Sequence, residues 1–315
     1  MHSIIPDLNP EQQQAAKAPT SPLLIVAGAG TGKTRTLVSR IVHLIETGTP
    51  PERICAITFT NKAAQEMKER VLGGASGRAA AKGGAKSTPY IGTFHSLGAR
   101  ILRRECRFFG RDPNFAIFDD HDSFDLVKKA VKAVVAPPKT FAASDFDRGG
   151  AANSPAKKKL AKEAPALFAK KIAEMKNLDG ERSTDEKKKE ETQRVFALYE
   201  EALKRNNAFD FDDLIQKPVA MFKADPAILK KYQDKFDAIL VDEYQDINPK
   251  QYELVQLLAG THRNLTVVGD DEQTIYTWRY ADIKIFLDFD KNWPGAAVHF
   301  LEENYRSTGN IIRGA

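Results

Sequence analysis

Cysteine is nearly absent from this chain of 315 residues: Cys55 and Cys106 are its only thiols. Two thiols exclude a cysteine-rich zinc or iron–sulfur site and offer no disulfide framework of the secreted kind. Long hydrophobic runs are also missing. None approaches the 18 or so residues that a membrane helix needs. Residues Met1–Gln14 are polar and carry Pro6 and Pro10, so no hydrophobic leader is read there. No membrane association is expected, and the expected compartment is a reducing cytoplasm. Charge of one sign is in small excess only. Lys and Arg number 47 against 42 Asp and Glu, a net +5 that permits a polyanionic partner without demanding one.

What is present is length enough for about two domains and a sizeable core. Short apolar runs alternate with helical patterns, the rhythm of an α/β fold with a parallel sheet. Leu23–Val26, Ile54–Phe59, Tyr90–Phe94, Phe236–Val241, Leu265–Gly269 and Ala297–Leu301 read as strands. Leu37, Ile41 and Ile45 recur at helical spacing before Gly48 and Pro50, and Tyr252, Val255 and Leu258 mark another helix. Thr60 or Asn61 caps a helix from Ala63 to Val71. Gly73–Ser87 is rich in Gly, Ala and Lys, reads as a loop, and carries no functional reading. Helical patterns then dominate 96–104, 124–135, 165–177 and 187–206, with Pro137-Pro138 and Ser144–Pro155 as loops. This predicts an all-α subdomain grown out of a sheet connection. Its lysine runs, 157–159, 170–171 and 187–189, read as solvated helix faces rather than duplex contacts.

The strongest local signal is Ala27-Gly28-Ala29-Gly30-Thr31-Gly32-Lys33-Thr34, set between a predicted strand and a predicted helix. Small residues let backbone N–H groups turn inward around phosphate oxygens, and the helix adds its positive N-terminal end. In such a P-loop Lys33 pairs with β- and γ-phosphate oxygens and Thr34 offers its hydroxyl to Mg2+. A Gly-rich turn that only packs a helix on a sheet is the competing reading, but Gly-Lys-Thr at a helix start has no packing rationale. Alone, the loop says only nucleoside triphosphate.

A second signal, Asp242-Glu243-Tyr244-Gln245-Asp246, ends an apolar strand run. Ligands of open α/β sheets gather at the carboxyl ends of strands, which puts these acids beside the P-loop if the two strands are neighbours. One carboxylate then holds Mg2+ and the other orients and deprotonates a water for in-line attack. Paired with a P-loop, the two acids favour hydrolysis over transfer to a small metabolite.

At this point the residues resemble the UvrD/Rep/PcrA-like superfamily 1A DNA helicases, in order, from Leu8 to the C-terminus. Leu8–Ala16 is similar to the Q motif, Ala27–Arg35 to motif I, Thr58–Ala64 to motif Ia and Gly92–Ser96 to motif Ib. Phe209–Leu214 is similar to the segment re-entering the first lobe, Asp242–Asp246 to motif II, Gly269–Arg279 to motif III and Asn304–Ser307 to motif IV.

The resemblance implies a P-loop NTPase with a RecA-like parallel sheet. It divides the chain into an ATP-binding lobe (1–95 and 207–298), a helical insertion (96–206) and the start of a truncated second lobe (299–315). It implies a DNA-dependent ATPase: a 3′-to-5′ helicase and single-stranded DNA translocase of repair or replication restart, with ATP and Mg2+ as cofactors. Single-stranded DNA, single/double-strand junctions and repair or replication proteins are the implied partners.

The implied ATP site comprises Gln12 on the adenine edge, the loop Ala27, Gly28, Ala29, Gly30, Thr31, Gly32, Lys33 and Thr34, and an adenine sandwich of Arg35 and Tyr305. Thr34 and Asp242 are the implied metal ligands. Lys33, Asp242, Glu243, Gln273 and Arg306 carry catalysis, with Arg306 as an arginine finger and Gln273 reporting the γ-phosphate to the DNA loop. Phe59, Asn61, His95, Tyr276, Trp278 and Arg279 form the implied DNA contacts, with Phe59 and Trp278 stacking on bases.

Tyr280 departs from the family's usual Gly, and Tyr244 and Ile247 replace a common Phe and Thr. The chain ends soon after Arg306, so the 315 residues are expected to bind ATP and DNA without unwinding. The competing functions are a non-motor ATP and DNA switch, the N-terminal part of a helicase–nuclease, and a small-molecule kinase, which leaves the aromatic motifs unexplained.

Overall fold

Strands of a parallel sheet covered on both faces read as unbroken apolar runs, and the runs above form such a sheet. A computed structural model describes residues 8–73, 87–135, 155–178, 186–274, 276, 280–308 and 310. Most of Gly73–Ser87, the Pro137-Pro138 loop and residues 144–154 lie outside them. In chain order the elements are α1 (Pro10–Ala16), β1 (Leu23–Ala27), α2 (Lys33–Glu46), β2 (Ile54–Thr58), α3 (Asn61–Val71), β3 (Tyr90–Thr93) and α4 (Phe94–Glu105). Then come β4 (Ala116–Phe118), α5 (Asp120–Val135), α6 (Pro155–Asn177), α7 (Glu186–Arg205), β5 (Ala208–Asp210) and α8 (Asp213–Ala224). The chain returns through α9 (Pro226–Gln233), β6 (Ala238–Val241), α10 (Pro249–Ala259), β7 (Leu265–Gly269), α11 (Ile283–Leu287), α12 (Phe289–Asn292) and β8 (Ala297–Leu301).

Two compact units result: residues 1–98 with 218–315, and residues 99–217. In the first, six parallel strands run in the order β3-β2-β6-β7-β1-β8. Every residue of β2, β6 and β7 is buried. One face of α2 (Leu37, Ile41, Leu44) and Met67 and Val71 of α3 cover the sheet residues Ile25, Ile54, Ala56 and Leu240. Of the two candidate caps for α3, Thr60 serves: its hydroxyl accepts from the Ala63 N–H at 3.1 Å.

The order settles which strands adjoin. β1, which leads into the P-loop, and β6, which carries Asp242 and Glu243, are not neighbours, because β7 lies between them. Residues 299–301, read as the start of a second lobe, lie in β8, which pairs with β1.

The second unit is mainly helical. Leu126, Val127 and Val131 of α5, Phe168 and Ile172 of α6, and Val195, Tyr199 and Leu203 of α7 form its core. It is not purely α: β4 and β5 form a short parallel pair, Ala116–Phe118 against Ala208–Asp210. Three-residue strands leave no periodicity to read. Among the described residues no helix is long and apolar enough to cross a membrane.

Candidate functional site

β1 delivers a buried Ala27 to the turn Gly28–Gly32, where Gly30 and Gly32 adopt φ of +79° and +88°. Left-handed backbone costs an L-residue roughly 1–2 kcal/mol, which is why glycine stands there. Space forbids a side chain as well. A Cβ on Gly32 would lie 2.7 Å from Gln12 Nε2, and one on Gly30 would lie 2.6 Å from Arg306 Cβ. Thr31 closes the turn by donating its hydroxyl to the Gly28 carbonyl at 2.8 Å. Helix α2 starts at Lys33 with no side-chain cap, so its first N–H groups and positive dipole end face the loop unopposed by a side chain. Thr34 is half-buried and Arg35 exposed in that first turn.

Lys33 Nζ is buried and, among the described residues, makes no hydrogen bond; it pairs with Glu243 Oε2 at 3.5 Å. The two strands that carry them are two places apart, about 9.6 Å at ordinary strand spacing, and the long side chains span the gap. Glu243 sits at φ +52°, a left-handed turn directly after β6 that swings its carboxylate out of the strand line. Its N–H donates to Asp242 Oδ1 at 3.1 Å. Burial, with the Glu243 charge beside it, pushes the Asp242 carboxyl up to about 7. A buried, hydrogen-bond-free ammonium and a carboxylate short of positive charge fit a phosphate chain and a divalent cation. Lys33 and the loop amides would hold the first, Thr34 and Asp242 the second.

The segment after β8 lies over the loop. Asn304 Nδ2 donates to the Ala29 carbonyl at 2.6 Å, and the Tyr305 N–H to the Gly30 carbonyl at 2.9 Å. Tyr305 is exposed, and its hydroxyl donates to Glu303 at 2.6 Å and accepts from Asn9 Nδ2 at 3.0 Å. The Glu303 bond lifts the Tyr305 phenol, and the nearby Arg35 charge lowers it in part. Arg306 is exposed above Gly30; among the described residues it forms no ion pair with Glu302 or Glu303, the arrangement a merely structural arginine would adopt. Gln12 lies beneath the loop and is 1% exposed, with both ends of its amide engaged: Oε1 accepts from the Asn9 N–H and Nε2 donates to the Thr31 carbonyl. It therefore buttresses the turn.

On the far side of β6, the aromatic groups meet. The Phe59 and Tyr276 rings lie 4.5 Å apart at 30° to each other. Asn61 is exposed in the first turn of α3, and His95 is half-buried in the first turn of α4. That turn is held by Thr93 and Ser96, each hydroxyl accepting from the other residue's N–H. Gln273 donates its amide to Asp270, not to a group of the P-loop. Trp278 and Arg279 lie outside the described residues.

Comparison with known proteins decides the family. The model for the UvrD/REP helicase N-terminal domain matches residues 8–294. The chain belongs to this family. It is 40% identical over 321 residues to proteins named ATP-dependent DNA helicase PcrA from Staphylococcus aureus and from Staphylococcus epidermidis. Each match covers 100% of this chain and 40% of the relative, so the chain spans about two fifths of the length of the curated relatives it matches.

Family membership explains one departure. Tyr280 has φ +65°, the backbone that the family's usual Gly adopts freely. A tyrosine on this backbone is strained. Tyr244 is fully buried and meets the Phe289 ring edge-on at 5.8 Å, so it fills the space of a Phe.

Sequence reasoning missed three residues. Arg40 is fully buried in α2 and, among the described residues, has no carboxylate partner: it donates to the carbonyls of Ala16, Ala18 and Pro19 and to the Thr266 hydroxyl. Burial lowers it to about 10. It thus caps the negative C-terminal end of α1 from another helix. Gln245, 1% exposed, joins the ends of β6 and β7. In the second unit Lys176 is buried among Asp210, Asp213 and Glu200 at 2.6, 2.8 and 2.9 Å. Burial works against its charge, and these acids more than restore it, holding Lys176 well above the ordinary lysine range. Of the lysine runs, Lys170 pairs with Glu174 and Lys171 donates to the Thr192 hydroxyl.

Proposed function

We propose that this chain is the ATP-binding part of a 3′-to-5′ single-stranded DNA translocase and helicase of DNA repair or replication restart. The observation that carries this reading is the Lys33–Glu243 pair: a buried ammonium without a hydrogen bond, 3.5 Å from a strand-end carboxylate and beside an uncapped helix start. In this reading the first unit is the ATP-binding lobe and the second its insertion. Lys33 leaves Glu243 for the β- and γ-phosphate oxygens, and the freed Glu243 carboxylate takes a proton from the attacking water. Thr34 and Asp242 would hold Mg2+, which would supply charge that neutralises the phosphates. Arg35 and Tyr305 bracket the adenine from above the loop that Gln12 supports. Arg306, poised over Gly30, adds positive charge as the γ-phosphate departs.

On the DNA side, Phe59 and Tyr276 form a paired aromatic platform, and Asn61, His95, Trp278 and Arg279 are the other proposed DNA contacts. Stacking grips any base, as a motor that ignores sequence requires. Single/double-strand junctions and repair or replication proteins are the expected partners, and the cytoplasm the expected compartment. The relatives named as helicases are more than twice as long, so unwinding by the 315 residues alone is not expected.

The test is ATP turnover with and without single-stranded DNA. Stimulation by DNA, lost in Lys33→Ala, supports the motor. DNA binding with negligible turnover points to a switch module, and indifference to DNA overturns the proposal. Phe59→Ala is expected to weaken single-stranded DNA binding by about 5- to 150-fold, the equivalent of roughly 1–3 kcal/mol per stacked base.

A further inference from the structure

The Gln245 side chain joins motif II to motif III. Its Nε2 donates to Glu243 Oε2 at 2.9 Å, and to Asp246 Oδ2 at 3.4 Å. Its Oε1 accepts from the Asp270 N–H at 3.1 Å. The amide has one orientation only, because a backbone N–H can only donate and a carboxylate can only accept. Asp270 in turn accepts from the Glu272 N–H at 3.1 Å and from the Gln273 amide, holding the turn that leads to Tyr276. The link is built into the sheet: a Cβ on Gly269 would lie 2.5 Å from Gln245 Oε1 and 2.8 Å from the Phe286 ring, so β7 ends in glycine to admit it.

From this continuous path, Lys33–Glu243–Gln245–Asp270–Gln273, we infer that Gln245 is a positioning residue that fixes the Glu243 carboxylate and transmits its movement to the turn before Tyr276. Gln273 stands one bond further out, as the follower. The inference rests on the ATP-binding reading above. When Lys33 turns to a phosphate, Glu243 loses its ion pair and moves. Gln245 moves with it, because its bond to Glu243 at 2.9 Å is shorter than its bond to Asp246 at 3.4 Å, and the Asp270 N–H follows its acceptor end. This is a two-ended contact of the kind that couples two sites.

Two variants separate the ends. Gln245→Glu keeps the acceptor for the Asp270 N–H but sets a carboxylate against Glu243. Gln245→Met keeps the volume and removes both bonds. The measurements on the 315-residue chain are Mg2+·ATPγS affinity and amide hydrogen exchange over residues 270–276. Wild type is expected to bind the nucleotide and to change exchange in this segment on binding. Both variants are expected to bind within about twofold of wild type, yet to lose that response. Without nucleotide, the Asp270 amide is expected to exchange about tenfold faster in Gln245→Met and near the wild-type rate in Gln245→Glu. A nucleotide-dependent change that persists in a variant that binds overturns the inference, as does a wild type that binds without any change. A wild type that does not bind nucleotide overturns the ATP-binding reading instead.

Discussion

Replacing Asp242 by Asn is expected to make the nucleotide-free protein more stable, and the structure gives the size. Asp242 is buried, and burial beside Glu243 lifts its carboxyl from 3.8 to about 7. A carboxyl raised that far favours the protonated folded state by about 4 kcal/mol. The folded state holds the proton more tightly than the unfolded chain, so the folded state is favoured fully below pH 3.8. The advantage is lost as pH rises towards 7. At pH 8 the charged carboxylate therefore costs the wild type about 4 kcal/mol, and at pH 5 under about 2 kcal/mol. Asn keeps the acceptor for the Glu243 N–H and carries no charge. Thermal melts at pH 8 are expected to show the unit that contains the sheet gaining about 10 °C in Asp242→Asn, with less than half that gain at pH 5. Mg2+ with a non-hydrolysable ATP analogue is expected to close the gap by stabilising wild type alone. A gain independent of pH, or a loss at pH 8, would refute the reasoning.

Three further outcomes follow from the geometry. Gly32→Ala places a methyl on a left-handed backbone and against Gln12, breaking the bond to the Thr31 carbonyl; a cost of about 2–4 kcal/mol in urea melts and a loss of nucleotide binding are expected. Arg40→Met leaves three carbonyls and the Thr266 hydroxyl without their donor, and is expected to expose α1 to faster hydrogen exchange while sparing the second unit. Tyr280→Gly relieves left-handed strain and is expected to leave stability unchanged or higher by up to about 1 kcal/mol, whereas Tyr280→Val lowers it.

The fold was largely legible because parallel strands advertise themselves. Runs such as Ile54–Thr58 and Leu265–Gly269 are apolar at every step since both faces are covered. Their order was not legible. No local pattern says that β7 lies between β1 and β6, because order is set by which way each crossover passes over the sheet. The P-loop could be read because its backbone demands glycine at two positions, a demand written in residue type. Arg40 could not, because three of its four partners are backbone carbonyls, and Gln245 could not, because its tie to the Asp270 N–H is distant in sequence; such backbone partners leave no mark on composition. Tyr280 shows the reverse: the sequence flagged the departure, and only the dihedral angle explains it.

The wedge of β7 between β1 and β6 has a consequence for which substitutions count as conservative. It sets a fixed ruler between the lysine and the glutamate, and neither strand can slide closer without breaking a buried ladder. Shortening Glu243 to Asp keeps the charge but withdraws it by about 1.5 Å, turning 3.5 Å into about 5 Å. At this site reach is as strictly specified as charge, and a family alignment judged on chemical similarity alone would pass a change that the sheet cannot accommodate.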